Sequence, residues 1–118
     1  MNLGELIVSA LQPVGLPIEP NTFTESYDTY IVYTYDESPI YFADNQPQYI
    51  HFFIEIYLVA PAGKSTYQYR EKIREQLIKH GFTYPEITGG AISYNTAAGQ
   101  QCYVFICEYA IPEGVTHG

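Results

Sequence analysis

Cys102 and Cys107 are the side chains of this sequence best suited to nucleophilic chemistry. A thiol attacks as the thiolate, which needs a base or a cation beside it, and neither cysteine has a base nearby in the sequence. Both fall in one expected strand, Gln101 to Ala110. Their odd separation puts them on opposite faces, roughly 16 Å apart, out of reach of a disulfide. The three histidines, His51, His80 and His117, fall on a strand, a helix end and a tail, with no pair at metal-ligand spacing. His51 and Glu55 share a strand face but stand roughly 13 Å apart, too far for a general base and its orienter. His51 therefore reads as structural or interfacial. Asp36, Glu37 and Asp44 fall in expected turns, where they could hold a cation weakly, although solvated turn carboxylates are the plainer reading. Gly89-Gly90 reads as a turn. There is no phosphate-cradling glycine loop and no nucleophile elbow. The expectation is a protein without catalytic residues, metal ligands or cofactor.

The elements that would position these residues are better marked. The stretch Tyr49 to Val59 is the longest β-prone run, uninterrupted by Gly or Pro. At period two, Ile50, Phe52, Ile54, Ile56 and Leu58 make one apolar face, and Tyr49, His51, Phe53, Glu55, Tyr57 and Val59 make a mixed one. This predicts a central strand with helices on the apolar face and a partly covered second face, covered in one reading by another copy of the chain. Asn2 with Glu5 predicts a capping box opening a helix with the stripe Leu3, Leu6, Ile7, Ala10 and Leu11, ended by Pro13 and Gly15. A short edge strand is expected near Leu16 to Ile18, and a strand at Thr29 to Tyr35. Asp36 to Pro39 reads as a turn, Ile40 to Phe42 as a short strand, and Ala43 to Pro47 as a second turn. Ser65 with Gln68 predicts a capped second helix carrying Tyr69, Ile73 and Leu77 with Ile78 beside them. Lys79 and His80 lie in its last turn and Gly81 ends it. Pro85 to Gly90 reads as a connection. Ala91 to Tyr94 and Gln101 to Ala110 read as strands that can form a hairpin around a loop at Asn95 to Gly99. Either face of the last strand could be the core face. Residues 111–118 read as a loose tail. The sum is one α+β domain, a two-layer sandwich of a mostly antiparallel sheet of four to five strands with two helices packed on one face.

Composition narrows the class. The chain has 118 residues, 13 Tyr against 6 Phe, no Trp, and a net charge of −8. Tyr suits both strand-rich cores and partly buried interfaces. The acidic balance argues against a surface that grips nucleic acid. All five cations, Lys64, Arg70, Lys72, Arg74 and Lys79, lie between positions 64 and 79. Of the 13 carboxylates only Glu71 and Glu75 share that window. A helix with a wet face explains each residue singly; cations confined to one segment also suit contacts between copies. Met1 to Gly4 gives no signal-peptide start and no apolar run is long enough to span a bilayer, so a soluble intracellular protein with reduced thiols is expected.

The layout resembles that of the tail terminator proteins, also called tail completion or head-to-tail joining proteins, of long-tailed bacteriophages and prophages. The resemblance runs over most of the chain to about Ala110. It covers the N-terminal helix and Pro-rich link, Thr29-Tyr30-Ile31-Val32-Tyr33, and the acidic excursion Tyr41 to Pro47. It continues through the long strand to Leu58-Val59-Ala60-Pro61 and the helix Tyr69 to Leu77 leading to Gly81-Phe82. It implies a non-enzymatic virion protein, assembled in the bacterial host cytoplasm, that forms a homohexameric ring on the head-proximal end of the tail tube. The implied partners are other copies, the tail tube protein and a head-completion or connector protein. DNA would pass through without specific binding, and no membrane is involved. In that setting Arg70, Arg74, Tyr41, Tyr57 and Phe53 are the candidate interface residues, and Asp36, Glu37 and Asp44 the candidate acidic loop or channel residues. Other readings are a neck, minor tail or cellular adaptor module of similar fold, and a small-molecule enzyme using a Tyr-lined pocket.

Overall fold

The computed structural model describes residues 2–22, 26–41, 47–90 and 99–112. In chain order they form α1 (Leu3–Leu11), a short 3-10 turn (Gln12–Val14), β1 (Ile18–Pro20), β2 (Tyr30–Tyr41), β3 (Pro47–Pro61), α2 (Tyr67–Lys79), β4 (Glu86–Gly90) and β5 (Gln100–Pro112). The strands make one sheet in the order β1-β2-β3-β5-β4. Every pairing is antiparallel except β1 with β2. This is the expected α+β class, with β3 at the centre.

β3 is central because it pairs with a neighbour on each side from Tyr49 to Val59. Tyr30 to Tyr41 runs along one side, with a register shift at Ile40/Tyr41, and Gln100 to Pro112 along the other. Its even positions Ile50, Phe52, Ile54, Ile56 and Leu58 are all buried, as their period demands. Leu3, Ile7 and Leu11 of α1 and Ile73 and Leu77 of α2 join these residues in a single cluster, with Ile31, Tyr33, Phe105, Cys107 and Ile111 from the flanking strands. Both faces of β5 hold core at one end: Phe105 and Cys107 belong to this cluster, while Cys102 and Val104 join a smaller one on the second face with Tyr30, Val32 and Val59.

The helix ends follow their sequence signals unequally. Asn2 Oδ1 accepts from Glu5 N at 2.8 Å, and Asn2 Nδ2 donates to Glu5 Oε1 at 3.2 Å, so the α1 cap forms. Gly81, at φ 90°, closes α2 with Phe82 N donating to Leu77 O and Gly81 N to Ile78 O, the paired bonds of a Schellman motif. The Ser65 cap does not form. α2 begins after Thr66, which makes no side-chain cap bond and whose Oγ1 instead accepts from Arg70 Nε at 3.1 Å. Ile78 is also off the core stripe, at 44% exposed, and Gln76 takes a buried position there.

Two expected loops are strands. Asp36 to Pro39 continues β2, pairing with Phe53 to Ile50 of β3. Local turn preference yields to a full ladder with a strongly β-prone partner. Pro39 is tolerated because the odd residues of β2 turn their backbone groups outward to the β1 side, Ile31 N donating to Pro17 O just before β1 and Tyr33 O accepting from Asn21 N just after it. The same parity points the missing N–H of Pro39 away from β3, past the end of β1. Glu86 to Gly90, expected as a connection, is β4, an edge strand on β5. The expected strand at Ala91 to Tyr94 and most of the expected turn at Ala43 to Pro47 and of the expected tail at 111–118 lie outside the described residues. Pro47 instead opens β3, and Ile111 and Pro112 end β5 paired with Ile50 and Tyr49, because the ladder with β3 and the burial of Ile111 extend the strand past its polar flank.

Candidate functional site

The second face of the sheet is where chemistry-bearing side chains gather. It follows from register. Across β2, β3 and β5 one row reads Asp36, Phe53, Glu108. The next row reads Thr34, Glu55, Ile106 and, on β4, Glu86. In both rows a large apolar side chain stands between two carboxylates. Phe53 is 48% exposed and Ile106 is 38% exposed. Further along, Tyr57 packs against the buried group Tyr30, Val32, Val59, Cys102 and Val104. The face thus grades from a closed apolar end to an open acidic end.

The open end is organised by cross-strand contacts. His51 Nε2 lies 2.5 Å from Glu108 Oε1, and the His51 ring sits 4.7 Å from that of Phe53. Thr34 Oγ1 donates to Glu55 Oε1 at 3.3 Å. Glu108 is held along its backbone too, accepting from Thr83 N at 3.0 Å and donating to Thr83 Oγ1 at 2.9 Å. The sequence paired His51 with Glu55 and found them too distant; its partner is instead on β5, diagonal to it in the ladder. A strand histidine finds its neighbours across the sheet, and those depend on register.

The other candidates distribute as follows. Tyr57 and Phe53 share the second face. Asp36 and Glu37 are exposed, as expected, but on β2 and not in a loop. Their alternation sends Asp36 to the second face and Glu37 to the other. Tyr41 ends β2 opposite Pro47, its side chain outside the described part, and Asp44 lies outside the described residues. Arg70 and Arg74 are half-buried and engaged within their own chain. The Arg70 guanidinium lies 4.5 Å from the Tyr103 ring centre. Arg74 Nη1 donates to Tyr84 Oη at 3.1 Å, and its Nη2 pairs with Glu71. Lys64 Nζ donates to the buried Thr29 Oγ1 at 3.0 Å. Lys72 and Lys79 are exposed. Gln101, which the sequence did not single out, is buried and donates to Pro61 O and Lys64 O at 2.8 and 2.7 Å. It ties the turn before α2 to β5.

The thiols are buried, on opposite faces and unbonded to each other. Burial pushes Cys102 up to about 11, and burial with the Glu108 charge pushes Cys107 up to about 12. Both stay protonated at neutral pH, which suits packing and not attack. A shallow cleft of about 560 Å³ lies where α1 meets β2, lined by Glu5, Ser9, Gln12, Tyr33 and Tyr35 among others. Burial, with Tyr35 adding to it, raises the Tyr33 phenol, and Glu5 is tied to Asn2. Among the described residues no three His, Cys, Asp or Glu side chains are grouped to hold a metal ion, and no helix is long and apolar enough to cross a membrane. Compared with known proteins, the chain matches no family model and no curated sequence.

Proposed function

We propose that this chain is a structural subunit, non-enzymatic and self-associating, that acts as a ring-forming tail terminator joining a phage tail tube to its head. The observation that carries the reading is the second sheet face. It presents Phe53 and Ile106 to solvent between paired carboxylates, while every cation of the chain sits in or beside α2. Exposed apolar side chains inside a polar rim are what a protein interface offers. An acidic body also does not grip the phosphates of DNA threading past it. The layout likeness to tail terminators supplies the ring and its setting; partners on this reading are further copies, the tail tube and a head-completion protein.

The test is the mass of the purified protein by light scattering across concentration and salt. A hexamer of 13.4 kDa chains that loosens as salt rises supports a ring held partly by charge, because exposed pairs are screened beyond about 8 Å at physiological salt. A monomer at every concentration overturns the ring in favour of an adaptor module that uses the same face on a different protein.

A further inference from the structure

The second face cannot pair with itself. Two such faces brought together would set Asp36, Glu55, Glu86 and Glu108 of one copy against the same four of the other, with only the two His51 side chains to offset them. Like charges so placed oppose a symmetric face-to-face dimer. A second copy must therefore offer a different surface, and the charge map leaves little choice. No Lys or Arg lies outside residues 64–79. Within that segment Lys64, Arg70 and Arg74 are bonded inside their own chain, to Thr29, Thr66 and Tyr84 respectively. Lys72 and Lys79 remain exposed on α2, with Glu75 between them and Ile78, 44% exposed, on the adjoining turn.

The spacings agree. Lys72 and Lys79 are seven residues apart, about 10.5 Å along the helix axis. Glu55 and Glu86 are separated by β5, as Asp36 and Glu108 are by β3, which sets each carboxylate pair about 10 Å apart across the sheet. Between the carboxylates stand Ile106 and Phe53; between the lysines stands Glu75, and Ile78 lies about a quarter turn round the helix from Lys79.

We propose that the second sheet face of one copy receives the outer side of α2 from a second copy. Lys72 and Lys79 meet Glu55 and Glu86, Glu75 lies over Ile106 between them, and Ile78, on the flank of the helix, packs against Phe53 in the next row. The contact is heterologous, each copy using both surfaces, so it propagates around a ring where the rotation closes. This rests on the self-associating reading above and names the surfaces through which it acts.

The experiment is charge exchange, read by sedimentation or light scattering, with circular dichroism checking that each variant is folded. The double variants Glu55→Lys/Glu86→Lys and Lys72→Glu/Lys79→Glu each place like charges in the contact. Each is expected to weaken self-association about tenfold or more. The two folded double variants mixed together should co-associate in alternation to the size the parent reaches, since each still carries one native surface and its reversed surface matches the other's. The quadruple variant should recover association to within about threefold of the parent. If the parent associates and both double variants associate equally well, the contact lies elsewhere: this inference fails and the ring reading stands. If the parent stays monomeric at every concentration, both fail. If the parent is monomeric but a basic, amphipathic partner protein binds the face and loses affinity with Glu55→Lys/Glu86→Lys, the occupant is that partner, and the self-contact is overturned.

Discussion

Replacing Arg70 by Ala should destabilise the single folded chain, although Arg70 stands on a half-wet side of α2. Its guanidinium lies over the Tyr103 ring at 4.5 Å, and its Nε donates to Thr66 Oγ1 at 3.1 Å. Thr66 is 3% exposed, so water cannot easily replace the lost donor. A cation over an aromatic ring at a partly wet site contributes about 0.5–1 kcal/mol. A hydrogen bond contributes about 0.5–1.5 kcal/mol net. Together they set the expected loss at about 1–2.5 kcal/mol. In a chain of this length each kcal/mol lowers Tm by roughly 4 °C. Arg70→Lys keeps the charge but has neither the flat fork nor Nε, so about half of the loss should persist. Urea unfolding followed by circular dichroism, at concentrations where the chain is monomeric, measures both variants. If Arg70→Ala stays within about 0.3 kcal/mol of the parent, the stacking and the Thr66 bond do not hold α2 to β5 and the argument fails. The result also bears on assembly tests: reversing Arg70 would mix loss of fold with loss of contact, which is why Lys72 and Lys79 are the better probes.

Three further outcomes follow from the packing. Ile54→Ala should cost about 2–5 kcal/mol because the side chain is fully buried at the centre of the sheet. Phe53→Ser, one residue away on the second face, should change monomer stability by under about 1 kcal/mol; equal losses in chemical unfolding would refute the face assignment. Gly81→Ala should cost about 1–2 kcal/mol, since φ 90° disfavours any side chain. An added Cβ would meet only Tyr109 Cε1 at 3.5 Å, so the loss is backbone strain and should appear as a lower melting temperature. The thiols impose an alkaline limit. Folding raises Cys102 from 9.0 to about 11 and Cys107 from 9.0 to about 12. Their contribution is intact below pH 9 and falls as pH rises towards 11 and 12, because the unfolded chain ionises first. Replacing both by Ala should flatten stability against pH over that window, and native thiol labelling at pH 8 should be far slower than labelling in urea.

Much of the architecture was legible locally. Tyr49 to Val59 announced a central strand because period-two alternation and β-branched and aromatic residues agree over its whole length. The Asn2 cap and the Gly81 stop were readable because capping bonds join residues three to five apart. The opposite faces of Cys102 and Cys107 needed only strand parity. The failures share a cause. Asp36-Glu37-Ser38-Pro39 has turn chemistry, and only the partner Ile50 to Phe53 makes it a strand. Ser65 and Gln68 have the form of a cap, yet the helix begins later, where Arg70 claims Thr66. Arg70 and Arg74 look like free surface charge until Tyr103 and Tyr84 are placed beside them.

By itself the sequence determined which segments are strands and helices wherever the bonds involved are short-range, which face of β3 must be buried, and that the chain's positive charge lies in one segment. The tertiary structure alone decided the strand order, the parallel edge at β1, the pairing of His51 with Glu108, and the rows that set Phe53 and Ile106 between carboxylates. The physical reason is register: a strand fixes the direction of each side chain locally, but its neighbours across the sheet are set by long-range pairing that no stretch of the sequence contains.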